Sequence, residues 1–405
     1  MNILFLSLSK LWSLNEEGIY SDLLREFVKD RHNVYILSPI EKRDQDKNIN
    51  TNKKNNTKIV KVYTGNIQKT NIIEKGFNTL LISKRYKKSI KENFENVKFD
   101  LVLYATPPIT FYGAIKYVKT RDNAKTYLML KDIFPQNAVD IGLLKKTGIR
   151  GILYRYFRER EKKFYKISDK IGCMSKANVD YLLEHNKFID KSKVEICPNS
   201  IEIKHSRLKY DNITILEKYS IPTNRRVFVY GGNLGKPQDI PFLINCLRTQ
   251  KNNDKVFFVI IGNGTEYDKL NKFVKEENQN NVKLMERLPK SDYDKLISAC
   301  DVGLIFLSHK FTIPNYPSRL LGYMSAGLPV FAVTDSNTDI GKDIVNGGFG
   351  WWCESNDPMK FSTYIEYISS LELFDYSKNA IKYLEENFNV KKQYYKILEL
   401  LNNEE

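Results

Sequence analysis

The chain has 405 residues, 42% of them hydrophobic and 12% aromatic, so it can bury more than one apolar core and is not disordered throughout. It contains no run of about 18 apolar residues, which argues against a membrane-spanning helix. The net charge is +16, and the five cysteines are scattered without a CxxC pair, so we expect neither a disulfide framework nor a zinc site. Met1 leads directly into a strand-like run, and we therefore expect no secretion leader and a cytoplasmic location.

Short apolar segments alternate with helical segments through the first half of the chain. This alternation predicts parallel βαβ units, because parallel neighbouring strands need a crossover connection. The polar, Asn- and Lys-rich segment 44–58 is expected to be an exposed loop. The predicted strands are residues 3–7, 34–37, 100–104, 127–130 and 170–174, with a helix at 20–31.

The second half repeats this alternation and predicts a second sheet of the same kind. The expected fold class is α/β, with two Rossmann-like, doubly wound parallel-sheet domains that face each other across a cleft. We place the domains at residues 1–205 and 206–405, and we allow the last helix to pack back on the first domain. The predicted strands are 226–230, 256–261, 281–285, 301–306 and 330–333, and the predicted helices are 241–250, 266–279, 292–299 and 318–326.

The positive charge is confined to one half of the chain. Residues 1–200 contain 38 basic and 22 acidic residues, whereas the remainder contains 26 of each. Basic residues are interleaved with aromatic ones at 150–166 and again at 84–88. Such segments are typical of helices that lie on an anionic membrane, although a solvated helix with inward-facing aromatics is the alternative. No nucleic acid partner is expected, because no zinc finger or RNA-binding signature occurs.

Two glycine-rich turns follow predicted strands in the second half: YGGNLGK at 230–236 and IGNGTE at 261–266. Glycines at such a turn let backbone amides approach a phosphate, and the following helix N-terminus favours an anion. A tight structural turn is the alternative for each. Neither matches the P-loop pattern.

The segment TIPNYPSRLLGYM at 312–324 carries a further signal. Ser318 is the predicted N-cap of a helix, with Arg319 in its first turn. An arginine at that position opposes the helix dipole, which is understandable if an anion shares the site. The alternative is a capped helix with a surface arginine.

These motifs, in this order, together with AGLPV at 326–330, resemble those of the GT-B glycosyltransferases of family 4. The string IPNYPS at 313–318 is similar to the branch that makes bacterial capsule and O-antigen, and within it to the N-acetyl-L-fucosaminyltransferases. In the first half, KDIFPQ at 131–136 resembles that branch's Asp-aromatic-Pro element, and CPNS at 197–200 resembles the segment that closes the first domain.

The resemblance implies a UDP-sugar donor held by the second domain, without a metal or any further cofactor. The residues expected to bind the donor are Gly232, Asn233, Leu234, Lys236, Arg287, Tyr316, Pro317, Ser318, Arg319 and Leu320. For the acceptor side we expect Asp132 or Glu17 to act as the catalytic base, with Gly18 and Lys131 binding the acceptor. An orienting role for Asp132 and a solvated turn for Glu17 are the alternatives.

One departure from the family concerns two glutamates separated by seven residues, the second of which is associated with the donor ribose. Alignment on the helix places Pro314 and Gly322 at these positions, so both carboxylates are missing. Ribose recognition is then either lost or taken over by another residue. A catalytically inactive member of the family is the corresponding alternative.

The resulting expectation is an enzyme that transfers an N-acetylated deoxysugar, with L-FucNAc as the best candidate. The acceptor is expected to be a polyprenyl-diphosphate-linked sugar of capsular polysaccharide or O-antigen synthesis, reached from the inner face of the cell membrane. Two alternatives stay open: a non-hydrolysing UDP-sugar epimerase, and a non-catalytic GT-B partner in a capsule-assembly complex.

Overall fold

The computed structural model describes residues 1–44, 52–54, 56–67, 72–203 and 211–402 and divides into two compact units. The first unit comprises Met1–Glu202 with Asn389–Glu405, and the second comprises Ile203–Phe388. The boundary predicted between residues 205 and 206 lies outside the described residues.

The elements up to this boundary are β1 (Asn2–Leu6), α1 (Ile19–Lys29), β2 (Asn33–Ile40), β3 (Asn52–Lys54), β4 (Thr57–Tyr63), α2 (Ile72–Asn93), β5 (Leu101–Ala105), α3 (Tyr112–Asp122), β6 (Lys125–Leu130), α4 (Gln136–Asp140), α5 (Gly148–Ile167), β7 (Lys170–Cys173), α6 (Lys176–His185) and β8 (Val194–Ile196). The later elements are α7 (Asn212–Lys218), β9 (Arg226–Asn233), α8 (Ile240–Arg248), β10 (Val256–Asn263), α9 (Tyr267–Glu276), β11 (Val282–Met285), α10 (Lys290–Ser298), β12 (Val302–Phe306), α11 (Arg319–Ala326), β13 (Val330–Thr334), α12 (Ile340–Asn346), β14 (Gly350–Glu354), α13 (Pro358–Ser369), α14 (Phe374–Asn387) and α15 (Val390–Asn402).

The sheet of the first unit is parallel except at one edge. Within the described ranges its strand order is β3-β4-β2-β1-β5-β6-β7-β8, and only β3 and β4 pair antiparallel. All five residues of β5 are buried, as expected for a parallel strand covered on both faces. The direction of winding reverses between β1 and β5, so the loops after these two strands lie at the topological switch point, where ligands of such sheets bind.

The segment 44–58, predicted to be a loop, is partly a strand pair, and that prediction is wrong for its described part. β3 pairs with the start of β4, which in turn pairs parallel with β2. The polar residues that precede the buried side chains of Ile59, Val60 and Val62 obscure the strand in the sequence. The sequence also does not predict β14.

The C-terminal helix α15 belongs to the first unit. Its side chains Val390, Tyr394 and Ile397 join the apolar cluster formed by Leu24 and Phe27 of α1. The chain returns to the first unit at Asn389, the residue before α15. Ile201 and Asn389 form a β-bridge, and the Val390 amide donates to the Ile201 carbonyl at 3.0 Å.

The second unit has an all-parallel sheet in the order β11-β10-β9-β12-β13-β14 among the described residues. Strands β12 and β13 are buried along their whole length. The winding reverses between β9 and β12, which places the glycine-rich end of β9 beside the loop that leads from β12 to α11. The two sheets confirm the predicted class, α/β with two doubly wound Rossmann-like domains.

Candidate functional site

The glycine-rich segment after residue 230 continues the strand instead of forming a loop. β9 extends to Asn233, and Gly232 and Asn233 pair with Gly262 and Asn263 of β10. A side chain at Gly262 would collide with the Gly232 carbonyl, so the second glycine turn exists to let the two strand ends approach. Gly232 has a φ of +133°, a conformation that only glycine adopts readily.

Arg319, the first residue of α11, faces this strand end. Its guanidinium carbon lies 4.4 Å from the ring centroid of Tyr230, and a methyl group added to Gly232 would lie 3.4 Å from it. The Nη1 atom is buried and has no hydrogen-bond partner in the described part of the chain. No carboxylate pairs with Arg319 within these ranges. A buried cation without a counter-ion is costly, so its surroundings point to an anionic ligand.

Three tyrosines surround the guanidinium. Burial by itself lowers the pKa of Arg319, but Tyr230 and Tyr323 raise it, so the pKa lies above its ordinary value and the charge is kept. The Tyr323 hydroxyl accepts from the Gly231 amide at 2.9 Å and donates to the Leu304 carbonyl at 3.1 Å. The ring of Tyr293 occupies the space above Gly231. The sequence analysis did not single out these rings, because no pattern in the chain shows that they converge.

Ser318 stands at the predicted N-cap position of α11 but does not cap the helix. Its backbone is helical, with φ −66° and ψ −12°, and its side chain accepts no hydrogen bond from the first turn. A capping side chain requires an extended backbone, so this part of the prediction is wrong. The first turn has no side-chain cap, and the amides of Leu320 and Leu321 donate to the backbone carbonyls of Pro317 and Ser318 at 3.2 and 3.1 Å.

The amide of Leu234 is also not available to a ligand, since it donates to the Asn263 carbonyl at 3.0 Å. Asn233 is likewise engaged, because its side-chain amide donates to the Gln238 carbonyl oxygen at 2.8 Å. Lys236 is exposed just beyond the end of β9.

The remaining residues predicted to bind the donor lie around the same end of the sheet, but they differ in burial and in hydrogen bonding. The Tyr316 hydroxyl donates to Asp343 at 2.6 Å, so it anchors the loop to α12. Leu320 is fully buried and Pro317 partly buried. Arg287 is exposed directly after β11, at the far side of β10 from Arg319.

In the first unit, Asp132 follows β6 at the carboxyl end of the sheet. The Asn137 side chain donates to its Oδ2 atom at 2.6 Å, while Oδ1 is buried and has no partner in the described chain. Thr106, which follows β5, accepts from the Asp132 amide at 3.2 Å and donates to its carbonyl at 3.0 Å. Burial raises the pKa of Asp132 to about 6, and the Asn137 hydrogen bond opposes this rise. The sequence analysis missed Thr106 and Asn137, although Asn137 follows the KDIFPQ motif directly.

Lys131 is adjacent to Asp132 but faces a different space. It lines a small cavity with Tyr20 of α1, Asn199 and Gln393 of α15. Burial lowers the pKa of Lys131. Gly18 donates its amide to Asp22 at 3.0 Å at the start of α1, next to the Tyr20 end of this cavity, whereas Glu17 is exposed.

No metal site is evident in the part of the chain that the structure describes, where no three His, Cys, Asp or Glu side chains come together. None of the described helices has both the length and the apolar character needed to cross a membrane.

The basic helix α5 divides its residues between two faces. Phe164 and Tyr165 are buried, and Arg158 is paired with Glu161 and bonded to Asn186, so these residues are structural. Other side chains project outward, including several apolar ones. Those exposed are Ile149, Arg150, Ile152, Leu153, Arg155, Tyr156, Glu159, Lys163 and Lys166.

Each unit matches one described protein family. Residues 20–205 match "Glycosyltransferase Family 4", and residues 211–387 match "Glycosyl transferases group 1". The chain is therefore a glycosyltransferase with two GT-B domains, one of each kind.

Three known proteins illustrate this similarity. The chain is 26% identical to the probable glycosyltransferase WbjE of Pseudomonas aeruginosa over 74% of each chain. It is 21% identical to the putative colanic acid biosynthesis glycosyl transferase WcaI of Escherichia coli K12 over 60% of each. Its fold matches Anabaena Alr3699/HepE, solved with UDP and glucose, with a TM-score of 0.70, 14% identity and 99% coverage of each chain.

Proposed function

We propose that this glycosyltransferase uses a UDP-sugar and that its second unit binds the donor diphosphate at the ends of β9 and α11. The observation that carries the proposal is the partly buried Arg319 guanidinium beside Gly232, whose Nη1 atom is buried without a partner and which has no counter-ion among the described residues. A diphosphate supplies the missing negative charge and accepts hydrogen bonds from Nη1. HepE, which has the same fold, was solved with UDP, and this supports the choice of nucleotide.

In the proposed reaction this site stabilises UDP as the leaving group. Breaking the bond between sugar and diphosphate concentrates negative charge on the diphosphate oxygens. Arg319 and Lys236 supply positive charge, and the N-terminus of α11 adds the positive end of a helix dipole. A fixed, partly buried guanidinium stabilises this charge without reorganisation, which is why no metal ion is required in the proposal.

For the acceptor we propose Asp132 as the catalytic base. Its free Oδ1 atom can accept the proton of a hydroxyl group, and a pKa of about 6 leaves the carboxylate ionised at neutral pH while keeping it basic enough to act. Glu17 is the second candidate because it lies in the loop at the switch point of the same sheet. Gly18 and Lys131 are proposed to contact the acceptor.

The proposed substrates are a UDP-linked N-acetylated deoxysugar, with L-FucNAc first, and a polyprenyl-diphosphate-linked sugar. The IPNYPS segment supports the sugar, and the similarity to WcaI supports a role in extracellular polysaccharide synthesis, such as capsule or O-antigen. The outward-facing apolar and basic side chains of α5 support an acceptor reached at the inner face of the membrane.

Calorimetry with UDP tests the donor site. Arg319→Ala should weaken binding by about 1.5–3 kcal/mol, a roughly 10- to 150-fold higher Kd, because charge-assisted hydrogen bonds are lost. Arg248→Ala is the matched control, since Arg248 is an exposed arginine of the same unit that pairs with Glu277. Equal Kd values for the Arg319 variant and the wild type would refute the proposed site.

A non-catalytic role is the second candidate, and the absence of both family glutamates at Pro314 and Gly322 favours it. Turnover separates the two. A transferase releases UDP only when donor and lipid-linked acceptor are both present, and mass spectrometry of a donor screen identifies the sugar. A folded wild-type protein that binds no UDP would favour the non-catalytic partner.

A further inference from the structure

A groove between α3 and α5 carries a concentration of lysines that the proposed reaction does not use. It has a volume of about 330 Å³ and lies on the first unit, away from Asp132. Its polar lining consists of Tyr112, Lys116, Lys119, Thr120, Lys163 and Lys166.

Three of these four ammonium groups have no counter-ion. Lys119 is paired with Asp169 at 2.6 Å and is also bonded to the Ile167 carbonyl, so its charge is compensated. Lys116, Lys163 and Lys166 form no ion pair with any described carboxylate, and all three are exposed. A groove with three uncompensated positive charges and hydroxyl groups at its rim is complementary to a compact oxyanion such as phosphate.

The same face of α5 continues from the groove into an apolar surface. Ile149 and Tyr156 each lie three and four residues from the adjacent pair Ile152 and Leu153, and the four side chains, in chain order, are 88, 61, 46 and 37% exposed. Lys163 follows seven residues after Tyr156, so it lies on this face about 10 Å further along the helix. An exposed apolar stripe that ends in a cluster of lysines matches a membrane surface, where side chains enter the acyl boundary and cations meet the phosphates.

We propose that the groove between α3 and α5 binds the phosphate of an anionic phospholipid headgroup, with Lys116, Lys163 and Lys166 as its ligands. The neighbouring apolar residues of α5 would insert beside that lipid. This inference rests on the membrane association in the proposed function but not on the transfer reaction, because the groove shares no residue with the donor or acceptor site.

The test is sedimentation of the full chain with phosphatidylglycerol-containing vesicles and with pure phosphatidylcholine vesicles. The combined variant Lys116→Ala, Lys163→Ala, Lys166→Ala should bind the anionic vesicles about 100-fold more weakly, at about 1 kcal/mol per lysine near the surface. The matched control is Lys251→Ala, Lys360→Ala, Lys378→Ala, which removes the same charge from exposed positions of the second unit and should change binding only slightly. Circular dichroism and thermal unfolding of both variants check that they are folded.

The remaining outcomes of the sedimentation experiment refute the groove, the membrane association or the lipid ligand. Equal losses in both triple variants, or no loss in the groove variant, would refute the groove while leaving membrane association intact. A wild type that binds neither kind of vesicle would refute membrane association and the groove together, whereas UDP binding would still support the donor site. Release of the wild type from vesicles by inorganic phosphate at cellular concentration, but not by sodium chloride of equal ionic strength, would show that the groove takes the free ion and would refute the lipid.

Discussion

At the scale of single residues, the proposed catalytic base Asp132 is a carboxylate whose pKa is raised by burial. Asp132→Asn removes the proposed base without changing its size. Turnover should fall by roughly 10²- to 10⁴-fold, the usual contribution of a general base, with UDP affinity unchanged. Asp180→Asn is the control, since this exposed carboxylate pairs with Lys176 at the surface of the same unit. Near-normal turnover of the Asp132 variant would reassign the residue to an orienting role.

The pH dependence of turnover tests the hydrogen bond from Asn137. A base works in its deprotonated form, so kcat should rise with pH through about 6, the raised pKa of Asp132, and level off above it. Asn137→Ala removes a donor that favours the ionised carboxylate. The pKa should then increase further, and the rising limb of the profile should move to higher pH. An unshifted limb would show that another group titrates.

At the scale of elements, helix α11 has space where the family carries its ribose-binding glutamate. A Cβ atom at Gly322 would meet nothing within 4 Å. Gly322→Ala should therefore stabilise the protein by about 1 kcal/mol in chemical denaturation, because glycine disfavours a helix interior. Gly303→Ala is a contrasting control, since its Cβ would lie 2.5 Å from the Tyr323 ring and should destabilise the unit.

The same position tests ribose recognition. Gly322→Glu places a carboxylate one turn after the start of α11. Residue 322 lies on the same face of the helix as Ser318, because the two are four residues apart. The open space around Gly322 leads us to expect a folded variant that binds UDP more tightly, as measured by calorimetry. Weaker binding by a folded Gly322→Glu protein would mean that the nucleotide does not approach this face of α11.

At the scale of the whole molecule, the excess charge is carried by the first half of the chain. Exposed lysines and the stripe on α5 should bring the protein to anionic vesicles at low salt. Raising the ionic strength should release it, because charges are screened beyond about 8–10 Å at physiological salt. Binding that is equal for neutral and anionic vesicles would refute the electrostatic part of this expectation.

Metal removal is a second test on the complete enzyme. The proposed site stabilises UDP with Arg319, Lys236 and a helix N-terminus, so turnover should persist after chelation by EDTA and dialysis. Loss of turnover on chelation, with recovery on adding a divalent cation, would contradict a site built from these groups alone.

The sequence by itself determined the class of fold and most of its strands, because parallel strands buried on both faces produce apolar runs that no surface element imitates. It also placed the glycine-rich segment at the end of β9 and Arg319 at the start of α11, since each motif is a continuous stretch of the chain. The predicted strand ends and helix caps were less accurate. β9 extends through the predicted turn, and the Ser318 side chain does not cap α11.

Only the tertiary structure decided which side chains share an environment. Tyr230 of β9, Tyr293 of α10 and Tyr323 of α11 surround Arg319. Asn137 of α4 donates a hydrogen bond to Asp132, which lies in the loop before that helix. The return of α15 to the first unit was allowed by the sequence but follows from its apolar contacts with α1. Such contacts join residues that are distant in the chain, and local propensity and periodicity carry no information about distances of that kind.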